Sequence, residues 1–206
     1  MTTPPTVQQA GSSAEVPPAT VREHPIAGFN PRLARVGPPM QRPRLLWITS
    51  FGFGRLRPFP GTWGSIPPVL IAGAMIALSH GPGEAPWFWN AVCVAMLLFW
   101  SLACVMQGDR AEAYWRVKDP GSVTADESAG MAIALIALPV GWYPSFGMAV
   151  AWLLAAFVLF RLFDIFKPWP INPLQEISGG WGILLDDLAA GLATLIVLQG
   201  WALTQA

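Results

Sequence analysis

The sequence predicts an all-α integral membrane protein: a helical bundle of about five apolar helices behind a disordered Pro-rich N-terminal tail. Three observations lead there. Hydrophobic residues make up 53% of the 206 and charged residues only 12%, half the roughly 25% of a soluble globular chain. The mean hydropathy is +0.46. The apolar residues also gather into segments of about 13 to about 23 residues, near the ~20 that a helix needs to cross a bilayer. A formal net charge of zero argues against nucleic acid as a partner.

Residues 1–44 hold nine prolines and no periodic apolar pattern. Such a segment cannot bury enough apolar surface to offset its ordering entropy, and it reads as a solvated tail. It also has no apolar stretch of the kind that opens a secretory signal. The membrane domain is expected over 45–206. Its lead-in, Leu45 to Ile66, is broken by Gly52, Gly54, Pro58, Pro60, Gly61 and Gly64, which rules out one long helix. Thr62 and Ser65 in the run Gly-Thr-Trp-Gly-Ser precede Pro67–Pro68, a pair suited to a helix's first turn. Their hydroxyls and the backbone N–H groups there could hold a phosphate, or the run could be a plain turn and cap.

Apolar segments follow at Pro67–Ser79, Pro86–Met106, Glu127–Trp142, Phe146–Phe166 and Trp181–Leu203. The first and third are short for a crossing, and the other three are long enough. If the N-terminus is cytoplasmic, five crossings place all twelve Lys and Arg on one side, which gives N-in, C-out by the positive-inside rule. The two cysteines, Cys93 and Cys104, would lie roughly 16 Å apart along one helix, too far to bridge, and read as buried small residues.

On that topology the unusual polar residues share one layer. Thr62 and Ser65 precede the first helix, and Asp126–Glu127 open the third. Arg161 and Asp164 close the fourth, with Lys167 just beyond. Asp186–Asp187 lie about five residues, roughly 8 Å, into the fifth. Ionisable groups in membrane-length apolar segments are costly and usually functional. Carboxylates gathered at one depth repel one another unless a cation holds them. An all-oxygen site suits Mg²⁺, with substrate phosphate completing the shell, and Arg161 and Lys167 could grip that phosphate. The plainer readings are that Asp126–Glu127 complement a helix macrodipole and that Asp109, Glu112 and Glu176 are solvated loop charges. The sequence has no Walker-type loop and no Asp-x-Asp-x-Thr motif. Its two histidines, His24 and His80, sit in the tail and in a loop on the other face. Metal-assisted hydrolysis of a phosphate, or a carboxylate nucleophile, remains.

Four ordered blocks then carry a family resemblance: Phe53–Gly54 through Pro60–Ser65, Asp119–Gly130, Phe160–Ile171 and Gly179–Gly191. Together they resemble bacterial phosphatidylglycerophosphatase A over about residues 45–200. The resemblance implies a Mg²⁺-dependent, multi-pass inner-membrane enzyme. It would convert phosphatidylglycerophosphate to phosphatidylglycerol and phosphate in phospholipid synthesis, with its active site facing the cytoplasm. Matching the blocks carries over Asp126, Glu127, Asp164, Asp186 and Asp187 as metal or catalytic carboxylates, and Thr62, Ser65, Arg161 and Lys167 as phosphate contacts. Ser178 departs from the pattern, standing where some relatives carry His. Two other classes fit the residues: a small cation- or proton-coupled transporter using the intramembrane acids, and a structural subunit whose acids pair with Arg161 and Lys167. Transporter sites usually lie near the midplane between repeats, and no internal repeat is visible here.

Overall fold

A computed structural model describes residues 45–139, 145–169, 171, 173–174 and 179–204. The expected disordered tail lies outside them, as do Glu176 and Ser178. The described residues are all-α. A 3-10 turn at Ser50–Arg55 leads into α1 (Pro60–Gly64), α2 (Ile66–Ala77), α3 (Pro86–Trp115), α4 (Ala125–Ala134), α5 (Phe146–Phe166) and α6 (Gly179–Thr204).

α3, α5 and α6 are long and apolar enough to cross a membrane. α5 keeps the bounds that hydropathy predicts, and α6 begins two residues earlier. α3 runs nine residues past Met106. The added stretch, Gln107–Trp115, is polar on one side but rich in Ala and free of Pro, and loss of hydropathy does not end a helix. The two short segments form helices shorter than a full crossing. α2 has 12 residues, roughly 18 Å, and α4 has 10, roughly 15 Å, against a hydrocarbon core of about 30 Å. α4 stops well before Trp142 because Pro139 follows Leu138 and disfavours helix at the residue before it.

α4 is the centre of the bundle. It packs against α3, α6, α5, α2 and α1, and Ala125, Ala129, Met131, Ala132 and Ala134 are fully buried. A half-length helix inside a bilayer must have its end groups satisfied by protein. At its C-terminal end the Leu135 carbonyl accepts Trp89 Nε1 at 2.8 Å, and the Ala137 carbonyl accepts the Gln199 amide. The Ala137 N–H donates to Asn90 Oδ1 at 2.7 Å. At the other end the Thr124 and Ala125 N–H groups both donate to the Ile48 carbonyl, at 2.9 and 3.1 Å. The lead-in is tied to the same point. Ser128 Oγ donates to the Gly64 carbonyl at 2.6 Å and lies 2.6 Å from Ser50 Oγ, which donates to the Thr124 carbonyl at 2.9 Å. Phe51 stacks on Phe99 of α3, with ring centroids 5.8 Å apart.

α4 and α6 approach so closely that backbone meets backbone. A Cβ on Gly191 would collide with the Gly130 carbonyl, and one on Gly130 with the Asp187 carbonyl and the Phe160 ring. Gly191→Ala is therefore expected to destabilise the fold by about 1–3 kcal/mol, the usual range for overpacking. Thermal unfolding in detergent reads this directly. Gly200→Ala, which meets nothing within 4 Å, should leave the midpoint unchanged or slightly raised.

Candidate active site

Four chain segments bring polar groups to one end of the bundle. The first turn of α4 supplies Asp126 and Glu127, next to the positive end of its macrodipole, where negative charge is favoured. The end of α5 supplies Arg161 and Asp164, and its cap supplies Lys167. α6 supplies Asp186 and Asp187 about two turns from its start. α1 and the residue after it supply Thr62 and Ser65. The convergence expected from the sequence is present.

The five carboxylates fall into two groups. Asp126, Glu127 and Asp187 can each direct one oxygen so that all lie within 4.8 Å of one another, a spacing that fits a single ion. Asp164 and Asp186 are held by cations. Arg161 Nη1 lies 2.6 Å from Asp164 Oδ2. Lys167 Nζ makes a close ion pair with Asp186 Oδ2 and lies 3.7 Å from Asp164 Oδ1 and 3.8 Å from Asp187 Oδ1. Burial alone would favour the neutral amine of Lys167, but the Asp187, Asp186 and Asp164 carboxylates outweigh it and hold the group above its ordinary range.

Five carboxylates thus face two cations in a buried setting. Asp126 Oδ1, Glu127 Oε2, Asp186 Oδ1 and Asp187 Oδ2 are buried with no hydrogen-bond partner, as is Arg161 Nε. Buried polar atoms are nearly always satisfied, so orphans clustered at one place call for a physical reason, and a bound cation is one that would satisfy them. A divalent cation would offset two of the three uncompensated charges and coordinate the free oxygens, for which a hard ion such as Mg²⁺ is chemically suited. The donor set fits that ion.

The remaining predicted residues take smaller parts. Ser65 is fully buried; its Oγ lies 3.4 Å from Arg161 Nη1 and donates to the Gly61 carbonyl at 3.1 Å. Thr62 is half-buried on α1, and among the described residues no hydrogen bond joins its hydroxyl to the cluster. Gly61 was unexpected. A Cβ there would meet Glu127 Oε1 and would stand 3.1 Å from Arg161 Nη2, so the absence of a side chain keeps open the space between the acid and the guanidinium.

Glu112 and Asp109 are not simple solvated loop charges. Both lie on α3; Glu112 is buried and accepts the Asp119 N–H at 3.2 Å, which holds the loop entering α4. Asp109 Oδ1 accepts the Gly180 N–H at 3.3 Å and ties down the start of α6. Their spacing of three residues, on an Ala-rich continuation of α3, is the signal that places them on a helix. Cys93 and Cys104 are buried and free, as expected. Away from this end, an apolar cleft of about 280 Å³ between α5 and α6 is lined by residues such as Trp152, Leu159 and Trp201. It offers no titratable group, so the chemistry does not belong there.

Fold and site together define a membrane-embedded protein with an acidic, cation-paired centre at one end of its bundle. The family model for phosphatidylglycerophosphatase A matches residues 46–202. A Haemophilus influenzae phosphatidylglycerophosphatase A is 33% identical over 166 residues, covering 77% of this chain and 90% of that protein. The Escherichia coli protein of the same name is 32% identical over 166 residues, with coverage of 77% and 83%. A Bacteroides thetaiotaomicron protein named for phosphatidylinositol-3-phosphatase activity is 33% identical over 165 residues, with coverage of 77% and 95%. No solved structure matches the chain. The chain belongs to the phosphatidylglycerophosphatase A family and is an enzyme of the phosphoric monoester hydrolase class. Nothing in these likenesses supports a transporter.

Gly61→Ala should lower kcat/KM for phosphate release from a lipid phosphomonoester by about 100-fold, the effect of displacing reacting groups by roughly 1 Å. Gly147→Ala, at the far end of α5 with nothing within 4 Å, should match the wild type in the same assay.

Proposed function

We propose that this enzyme hydrolyses phosphatidylglycerophosphate to phosphatidylglycerol and inorganic phosphate, with Mg²⁺, at the cytoplasmic face of the bacterial inner membrane. The observation that carries the reading is the trio of buried Asp126 and Asp187 with half-buried Glu127, each with one unpartnered oxygen, beside Arg161 and Lys167. Acids alone would repel a phosphomonoester, and cations alone would bind without activating it. The two side by side suit phosphoryl transfer, in which positioning and charge stabilisation do most of the work.

Asp126, Glu127 and Asp187 would hold the ion, which supplies Lewis acidity toward a phosphoryl oxygen. Arg161 presents its guanidinium beside Gly61, where phosphate oxygens can approach without meeting a side chain, and Ser65 steadies that guanidinium. Lys167 adds positive charge from the α5 cap, and Thr62 borders the same opening. Water attacks phosphorus as the bond to the lipid glycerol oxygen breaks. A carboxylate of the cluster takes the water's proton, and the departing glycerol oxygen gains one, leaving phosphatidylglycerol and phosphate.

Charge supports that location. Arg55, Arg57, Arg110, Arg116, Lys118, Arg161 and Lys167 all lie toward the site end of the bundle, and the far end, with its α2–α3 and α4–α5 connections, has no Lys or Arg. By the positive-inside rule this distribution favours a cytoplasmic site end. Exposed Trp63, Trp169 and Trp181 at that end, and Trp87 and Trp201 at the other, suit the two interfacial belts. A lipid phosphate lies at such a boundary, so the substrate can react without leaving its leaflet.

Purified protein in mixed micelles should release phosphate from phosphatidylglycerophosphate with Mg²⁺ and stop when EDTA is added. Asp187→Asn should lower turnover by about 10³-fold or more, the scale of losing a central electrostatic group. Undiminished release after complete metal removal would overturn the metal reading. Preference for phosphatidylinositol 3-phosphate in the same assay would overturn the substrate assignment and leave the metal reading standing.

A further inference from the structure

We infer that Lys167 is a built-in second cation: the site takes one divalent ion, and the Lys167 ammonium occupies the place of another, with Asp187 shared between the two positions. The inference rests on the metal-dependent reading above. Its first support is geometric. Carboxylates from two helices converge on one ammonium, with Asp186 Oδ2 in close contact, Asp164 Oδ1 at 3.7 Å and Asp187 Oδ1 at 3.8 Å. The ammonium donates a hydrogen bond to Asp186, and the other two carboxylates are close enough to share its charge. Asp187 directs Oδ1 toward Lys167 and leaves Oδ2 without a partner, while the same residue belongs to the ion-spaced trio with Asp126 and Glu127. A carboxylate placed between two cation positions is the arrangement of two-metal phosphoryl-transfer sites, whose ions lie about 3.5–4 Å apart. Here one of those positions is already filled by the chain itself.

The second support is the backbone. Lys167 caps α5 at φ 40°, in the left-handed region. Glycine is the usual residue there because it carries no Cβ. A lysine in that conformation is strained, and such strain persists where a side chain must be held in place. The αL turn directs the chain off the helix end while Lys167 keeps its contacts with Asp164 one turn back and with both aspartates of α6. The third support is charge. With Lys167 and Arg161 in place, one divalent ion leaves a single uncompensated carboxylate among the five. A second ion would have to compete with an ammonium already within 4 Å of three of them. An ammonium contributes fixed positive charge and no exchangeable coordination position, so the Lewis acidity would come only from an ion held by Asp126, Glu127 and Asp187, and Lys167 balances charge on the phosphoryl group.

Counting bound Mn²⁺ in metal-stripped, full-length protein tests this without reference to turnover. Equilibrium dialysis should give one ion per chain for the wild type, with the electron paramagnetic resonance spectrum of an isolated ion. Lys167→Met should gain a second ion and a spectrum broadened by a neighbouring Mn²⁺, whereas Lys167→Arg should keep the count at one. If Lys167→Met does not fold, Lys167→Gln, which retains an N–H donor for Asp186, serves for the same count. Two coupled ions in the wild type would overturn the inference while leaving the metal reading intact, as would a folded Lys167→Met or Lys167→Gln that binds only one. No bound ion in the wild type would overturn the metal reading and the inference together.

Discussion

The site depends on the contact between the backbones of α4 and α6. Gly130 lies against the Asp187 carbonyl and Gly191 against the Gly130 carbonyl, so the two helices cross with no side chain between them. That crossing helps set the separation of Asp187 on α6 from Asp126 and Glu127 on α4. Small residues at such crossings are the common means of close helix approach in a bilayer, where apolar side chains gain little by leaving lipid for protein. The two glycines belong as much to the architecture of the carboxylate trio as the acids do.

The same crossing explains how a short helix can stay inside a membrane. α4 is too short to reach both interfaces, so its end carbonyls would be orphaned in hydrocarbon if it stood alone. Trp89 and Asn90 from α3 and Gln199 from α6 receive that end, while Ile48 and Ser50 from the lead-in receive the other. Stopping α4 short has a functional consequence. Its N-terminus, with Asp126 and Glu127 in the first turn, is held against the helices that α4 packs on, and Asp126 is buried there.

Much of this was legible in the sequence, and the parts that were not share a cause. Hydropathy located α3, α5 and α6 because a crossing demands a long apolar run. Charge placement brought Asp126, Glu127, Arg161, Asp164, Lys167, Asp186 and Asp187 to one layer, since lipid leaves few other depths for them. The length of α4 was not legible, because an apolar run of about 16 residues reads alike whether it spans or turns back within protein. The far end of α3 was missed because hydropathy reports lipid contact, not helicity, and Asp109 and Glu112 do their work above the hydrocarbon. Gly61 read only as a helix breaker and turn residue, because a glycine that preserves empty space leaves no chemical mark of that role on the sequence. Pairing was illegible for a similar reason. Arg161 and Lys167 read equally well as phosphate contacts or as partners of the acids, and only the α5–α6 geometry shows Lys167 among three carboxylates.

The division of five acids into a trio and a cation-paired couple also bears on how a buried site can bind so charged a substrate. A phosphomonoester approaching ionised, uncompensated carboxylates in low dielectric would be strongly repelled. Arg161 and Lys167 remove that repulsion at Asp164 and Asp186 permanently, through short contacts along α5 and across to α6. The repulsion left to overcome is that of Asp126, Glu127 and Asp187, three acids at one spacing, and a single divalent ion answers most of it. On the proposed reading the cations would therefore do more than attract phosphate. By neutralising part of the cluster in advance, they would reduce the charge that a bound ion must offset, and would leave Gly61 and Ser65 free to shape the approach of a phosphate to Arg161.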